Sequence, residues 1–365
     1  MAARTAHITF PLDRLYLEYT NRCNMSCAFC PYPLQRRPKG RLRFELCRNI
    51  VDQVVSDGIT DLIEVTGYGE PLLNPEWENI SRHIIASGLR LNLTTNGALL
   101  TDPVSERVAA CGFNDIIISL QTPDRDSFRL RKAPLEYETY IARVKRFIEV
   151  HQTIRSKSRI RLRLLNTIGA GRMAFPEKVS VLDSRDDVVA SMRDWGRIVR
   201  GLAGVACDES AVRNGLRRFP TFRPAEVHVT DRVTLESKLC NDFWAFGTGE
   251  PVRFPTRIAR CRAMTMQNVL VYHDGRVSLC CSDFDNYLNI GSLTETTLKH
   301  VLCSEKAMTL VDGFRHFRVR HPYCQHCLGS NVPYLSAAKA LAASFYQLNL
   351  EEFRVFDLRH ALARQ

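Results

Sequence analysis

Three cysteines, Cys23, Cys27 and Cys30, stand in the string Cys23-Asn-Met-Ser-Cys27-Ala-Phe29-Cys30, spaced C-x3-C-x2-C. Three thiolates on one short loop can hold three irons of a cubane cluster and leave the fourth iron open to a small molecule. A second set lies far along the chain. Cys261 is followed by thirteen residues, Gly275, four residues and Cys280, and a C-x2-C pair, Cys324 and Cys327, comes later. Between them, Leu270 to Leu279 reads as a β-hairpin with an Asp274-Gly275 turn, which would return Cys280 beside Cys261. With the pair these make four soft ligands, a set that suits zinc or an iron–sulfur cluster. Cys281, next to Cys280, is the alternative fourth ligand.

The elements that must position the first loop alternate. Strand patterns are expected at Leu15–Tyr19, Leu62–Thr66, Arg90–Thr94, Asp115–Ser119 and Arg159–Leu165, with helices near Phe44–Ser56, Trp77–Ser87, Val104–Ala110 and Tyr137–Val150. Asp102 before Pro103 reads as an N-cap, and Gly58, Gly88 and Gly112 lie just past helix ends. Strict βα alternation with short links means a parallel sheet with right-handed crossovers. In such folds chemistry gathers at the C-terminal ends of strands, and the first cysteine loop follows the first strand. A further helix is expected at Arg185–Arg200 and a sixth strand at Glu226–Thr230; Asp208–Pro224, basic and Pro-containing, reads as a loop or insertion. In the fifth strand Arg159, Arg161 and Arg163 alternate with Ile160, Leu162 and Leu164, which turns the arginines toward the interior and calls for an anionic partner.

At 365 residues the chain can bury a full core, and 45% hydrophobic with 24% charged residues is ordinary globular composition. The N-terminus has no apolar signal region and no run long enough to span a membrane, so a cytoplasmic location is expected. Thirteen cysteines in a reducing compartment favour metal sites over disulfides. The +11 charge suits an anionic substrate, nucleic acid or an acidic electron-donor protein, and is equally the charge of a solvated surface. Nucleic acid is disfavoured by the lack of a motif interleaving aromatic and basic residues. Cys47 and Cys111 read as small core residues; Cys207 and Cys303 lack a partner spacing. Cys240, in the joint between domains, is a candidate hydrogen-atom donor. His228, Tyr272 and Tyr334 read as structural.

The C-x3-C-x2-C spacing, with the aromatic Phe29 before the last cysteine, resembles the signature of the radical S-adenosylmethionine (radical SAM) superfamily. The resemblance implies a partial (β/α)6 barrel and a [4Fe–4S] cluster on Cys23, Cys27 and Cys30. Its open iron would chelate the amino and carboxylate groups of S-adenosylmethionine, whose cleavage yields a hydrogen-abstracting 5′-deoxyadenosyl radical. Thr66-Gly67-Tyr68-Gly69-Glu70-Pro71 resembles the family's second motif, usually Gly-Gly-Glu; Tyr68 replaces the first glycine, which leaves Gly69 and Glu70 to hold the cofactor's amino group. Asn96, in Thr95-Asn96-Gly97, and Ser119, at the end of the fourth strand, match positions beside the cofactor and its ribose. Arg163 is the arginine expected to reach cofactor or substrate.

The C-x13-G-x4-C element resembles the first half of the SPASM domain. The full domain places further cysteines where this chain has Pro333 and Ala337. The resemblance therefore implies the shortened, twitch form with one auxiliary [4Fe–4S] cluster on Cys261, Cys280, Cys324 and Cys327. The division expected is a core over 1–235, a twitch domain over 236–335 and a C-terminal helical segment over 336–365, apolar from Ser336 to Leu348, packing on the core. The activity expected is an oxidative step, a dehydrogenation or decarboxylation, on a small polar sugar, cyclitol or nucleoside. A flavodoxin or ferredoxin is the electron donor the family implies. Two alternatives stand beside it: a redox-neutral epimerisation, and maturation of a ribosomally made peptide. For the latter, the 22 residues before Cys23 are too few for a leader-binding module.

Overall fold

The computed structural model describes residue 8 and residues 10–168, 178–204, 225–240, 252–261 and 268–354. The first half alternates strand and helix: β1 (Leu15–Leu17), α1 (Phe44–Ser56), β2 (Leu62–Val65), α2 (Trp77–Ala86), β3 (Arg90–Thr95), α3 (Asp102–Ala110), β4 (Asp115–Gln121), the single turn α4 (Arg125–Phe128), α5 (Tyr137–Thr153) and β5 (Arg159–Asn166). β1 to β5 pair in order, all parallel. β2 is buried at all four positions, as a strand covered on both faces must be. α1 buries Cys47, Ile50, Val51 and Val54, one stripe at helical spacing, so Cys47 is a core residue as expected.

Three expectations need correction. The helix α3 begins at Asp102 itself, and Thr101 is its N-cap, with no side-chain bond to the turn. Proline at the second helical position is as acceptable as at the first, so the motif fixed the start only to within a residue. The run taken as a sixth strand is β6 (Ala225–His228), an antiparallel edge. The strand that extends the parallel sheet is β7 (Val233–Leu239), paired with β5 over seven residues. The division expected at 235/236 falls inside β7. The segment expected as an insertion, together with Cys207, lies outside the described residues.

α6 (Arg185–Leu202) starts at a capping box between Ser184 and Asp187 and packs on α5 and β7. The C-terminal third does not form a separate sheet. β8 (Val269–Val271) pairs parallel with β1, then turns through Gly275, at φ +85°, into β9 (Arg276–Ser278) and on to β10 (Asn289–Ser292). The order is β10-β9-β8-β1-β2-β3-β4-β5-β7-β6, an open sheet among the described residues, with seven parallel strands, β8 to β7, at its centre. Helices α7 (Leu298–Leu302), α8 (Glu305–Arg315), α9 (Pro322–Leu328) and α10 (Pro333–Arg354) follow. α10 is tied to the 252–261 segment: Thr256 Oγ1 meets Ser336 Oγ at 2.8 Å, and Arg260 N donates to Ser344 Oγ at 3.0 Å. No described helix is long and apolar enough to cross a membrane.

One buried cluster joins the two halves. Glu18, fully buried just after β1, accepts two bonds from Arg37, at 2.7 and 3.0 Å, and lies 2.9 Å from His273 Nδ1. Arg37 also donates to the Phe284 carbonyl and stacks on the Tyr272 ring. Burial alone would raise the Glu18 pKa; the bonds from His273 and Arg37 outweigh it, and the net shift is downward. Arg37→Met strands that carboxylate, and a loss of about 3–5 kcal/mol is expected in urea unfolding. Because the folded pKa is lowered, the Glu18 contribution is complete above the unfolded value of about 4.3 and fades as pH falls below it. The variant should therefore lose less of its stability than the parent between neutral pH and pH 4.

Candidate functional site

The C-terminal ends of the parallel strands open on one cavity of about 300 Å³. Its wall includes Cys23, Cys27, Phe29 and Cys30 after β1, Gly69 and Glu70 after β2, Asn96 after β3, Ser119 on β4, Arg163 on β5 and Cys240 after β7. All six residues read from sequence as cofactor contacts thus face the same space as the three cysteines. Cys240, almost fully buried, packs with Phe29 and Leu165 on that wall.

The motifs are bonded to one another. Asn96 Nδ2 reaches Asn24 Oδ1 at 2.7 Å and Cys23 Sγ at 3.7 Å, while its backbone N–H donates to Glu70 Oε2 at 2.6 Å. Glu70 also accepts from Thr95 Oγ1 at 2.8 Å and Leu72 N at 3.2 Å; burial raises its pKa despite these bonds. Gly69 is required by proximity. A Cβ there would lie 2.0 Å from the Thr20 carbonyl oxygen and 2.8 Å from that of Arg22, the backbone entering the cysteine loop.

Arg131 was not legible in the sequence. It follows α4 in a turn, is almost wholly buried, and donates to the carbonyls of Ser119, Leu120 and Asn96 and to the Tyr140 hydroxyl. The same turn clamps the cysteine loop: Ser26 N donates to the Arg131 carbonyl and Ala28 N to that of Leu130. No composition or spacing marks this arginine; only the fold brings it under Cys27.

Burial pushes the Cys23 thiol up to about 11 and raises Cys30 further. For Cys27 burial also wins, although Arg131 pulls the other way. Such thiols become thiolates when a metal takes the proton's place. The donor set fits an iron–sulfur cluster with an open iron: three sulfurs from one loop, an amide N–H on one of them, and the Nε of Arg131 buried without a hydrogen-bond partner.

The second cysteine set forms its own neighbourhood. Cys280 feels the charges of Cys281, Cys261 and Cys327, and Cys324 those of Cys261 and Cys327; Ser282 N donates to Cys280 Sγ at 3.4 Å. Among the described residues no three His, Cys, Asp or Glu side chains gather tightly enough to share one metal ion. Cys281 lines the cavity and bonds with Tyr16; burial and the charge of Cys261 raise its thiol despite the nearby Lys238. Tyr68, which stands where the second motif usually has glycine, lies between the two sets, within electrostatic reach of Cys281, Cys280 and Cys30.

Of the three arginines expected to face the interior, Arg159 is exposed at the start of β5, and all three have protein partners. Arg159 meets Asp115 at 2.6 Å, Arg161 meets Glu226 at 2.6 Å and also Glu236, and Arg163 meets Glu236 at 2.9 Å. His228 is exposed with Thr234 as its partner, Tyr272 donates to the Asp283 carbonyl, and Tyr334 is exposed.

Comparison with known proteins agrees with this geometry. Residues 17–161 match the radical SAM superfamily, and residues 261–328 match an iron–sulfur cluster-binding domain, SPASM. The chain carries a radical SAM domain followed by a SPASM iron–sulfur domain. A cofactor-modifying protein for a tungsten-containing aldehyde ferredoxin oxidoreductase, from Pyrococcus furiosus, is 31% identical over 106 residues, 29% of this chain and 30% of that one. The AdoMet-dependent heme synthase of Methanosarcina barkeri is 34% identical over 116 residues, 31% of this chain and 33% of that one. The chain thus spans about a third of the length of these curated relatives. Among solved structures, SuiB of Streptococcus suis bound to S-adenosylmethionine superposes with a TM-score of 0.56 at 18% identity, over 92% of this chain and 76% of that one. BtrN, in complex with AdoMet and 2-DOIA, gives 0.51 at 13% identity, over 90% and 97%. These structures share the fold.

Two substitutions test the assignments. Gly69→Ala should displace the cysteine loop and cost the first site its cluster, a loss of about four irons per chain by iron analysis after anaerobic reconstitution. Cys280→Ala should remove the second cluster, whereas Cys281→Ala should leave both iron counts at the parent's value.

Proposed function

We propose that this radical SAM enzyme carries out an oxidative step on a small polar molecule, a sugar, cyclitol or nucleoside, by dehydrogenation or decarboxylation. The observation that carries the reading is that one cavity holds the first cysteine set and reaches the chain neighbours of Cys280, a member of the second. Cys23, Cys27 and Cys30 form one wall, and Cys281 and Ser282, directly after Cys280, form another. When bound, a reduced cluster and S-adenosylmethionine supply the 5′-deoxyadenosyl radical that removes a carbon-bound hydrogen.

The protein's own contribution is placement. Glu70, whose bonds from Thr95, Leu72 and Asn96 fix its rotamer, would receive the cofactor's amino group. Ser119 would face the ribose, and Phe29 would close the side next to Cys30. Asn96 holds Cys23 and the second motif in register. A substrate between these groups and Cys281 would sit beside both cluster sites, so that the second could take the electron left after hydrogen removal. Tyr68 lies on that line. A ferredoxin or flavodoxin would deliver electrons to the first cluster. Cys240, on the same wall, would serve as hydrogen donor only in the redox-neutral alternative.

Iron analysis with a Cys23/Cys27/Cys30 triple-alanine variant tests the reading. About eight irons are expected in the parent and about four in the variant, with 5′-deoxyadenosine formed under reductant only by the parent. About four in the parent and none in the variant would remove the electron acceptor and favour an epimerisation. Persistent cleavage by the variant would overturn the cofactor site.

A further inference from the structure

Lys238, at the C-terminal end of β7, is a cation without a counter-ion among the described residues. It makes no hydrogen bond or ion pair to any described residue. Much of its side chain is accessible, yet it lies deep in the fold, because the surface it exposes is cavity wall. The two carboxylates whose charge reaches it are already engaged: Glu64 with Arg14 at 2.7 Å, and Glu236 with Arg163 at 2.9 Å and with Arg161. The neighbouring strands thus match their arginines to acids and leave this one ammonium over.

An ammonium held in a confined, partly desolvated space is unfavourable unless an anion meets it. Burial, and then the like charge of Arg163, lower the Lys238 pKa, which is the electrostatic signature of that unmet demand. Around it the wall offers the Cys281 thiol and the Tyr16 hydroxyl, which are bonded to each other. Glu70 and Asn96 mark the other side of the cavity, where the cofactor's amino group is placed above.

We propose that Lys238 is the anchor of an anion subsite, which binds a phosphate or carboxylate group of the substrate and turns the rest of that molecule toward the first cysteine loop. This deepens the proposed function and rests on its placement of the substrate in the cavity. It narrows the substrate class to acidic or phosphorylated small molecules. The net charge of +11 does not carry that inference; the position of one unmatched ammonium does.

An anion on Lys238 has two possible sources, the substrate or the carboxylate of S-adenosylmethionine, and one titration separates them. Anaerobically reconstituted parent, Lys238→Gln and Lys238→Arg are titrated calorimetrically with inorganic phosphate and with acetate, with and without saturating S-adenosylmethionine. A substrate subsite requires four results. At least one probe binds the parent, binding persists in the cofactor-loaded protein, and it weakens at least about tenfold in Lys238→Gln but less than threefold or so in Lys238→Arg. Cofactor affinity is the same in all three proteins. Equal anion binding by parent and Lys238→Gln means an adventitious ion only and overturns the proposal, as does no binding at all. Displacement of the probe by S-adenosylmethionine, with weaker cofactor binding in Lys238→Gln, assigns Lys238 to the cofactor and overturns it too. Iron content and cofactor binding of each variant report whether the fold and the cluster site are intact. The titration needs no turnover, so its failure is distinct from failure of the oxidative reading.

Discussion

The carboxylate of Glu18 governs how the cysteine loop is held. It has no exposed surface, so it can exist as an anion only where donors surround it. Those donors come from two distant places: Arg37, beyond the third cysteine, and His273, at the turn of the β8–β9 hairpin. Satisfying one side chain therefore closes the cysteine loop at its far end and docks the C-terminal hairpin against it. Further bonds follow the same closure. Asn21 donates to the Pro38 carbonyl and accepts from Gly40 N, and Asn74 donates to the carbonyls of Tyr19 and Leu42. Gly40 has to be glycine here, because a Cβ would sit 2.3 Å from the His273 ring. The loop that carries the first thiols is thus shaped partly by the domain that carries the second.

What could be read in the sequence was what local chemistry dictates. The stripe of α1, the two-residue period of β5 and the cysteine spacings are short-range patterns, and each appears where the residues placed it. The sixth strand was misjudged because β6 and β7 are two short runs of similar composition, and which one joins β5 depends on pairing across the sheet. Arg131 gave no sign at all: its importance arises from three carbonyls and a hydroxyl that only the folded chain assembles. The choice between Cys280 and Cys281 was open for a simple geometric reason. Neighbouring residues leaving a strand point to opposite faces, and sequence does not say which face carries the other ligands.

The interior of the sheet also explains why the arginines of β5 alone were a poor guide to a ligand. Parallel strands closed around a core fill it with branched apolar side chains. Here the inner face carries Arg161, Arg163, Glu64, Glu236 and Lys238 instead. Most of these charges cancel across adjacent strands, as cross-strand pairs do, which keeps the sheet stable while its centre stays polar and open. An alternating Arg pattern therefore announces a polar interior, but not which cation is free. That distinction depends on acids from β2, β4, β6 and β7.

The joining of β8 to β1 bears on the proposed electron transfer. Because β8, β9 and β10 continue the central sheet, the segment after β9 enters the cavity rather than lying on a separate, hinged unit. Two residues leave that strand in succession, Cys280 into the second cysteine set and Cys281 into the cavity. The path from cavity to second set is then a single peptide unit, supplemented by Tyr68 and its edge contact with Phe284. Distance between two redox sites is usually free to drift when domains move. Here the backbone hydrogen bonds of one sheet and the buried Glu18 tie the segment after β9 to the cavity, and in the proposed oxidative reaction they would hold the second site near the substrate.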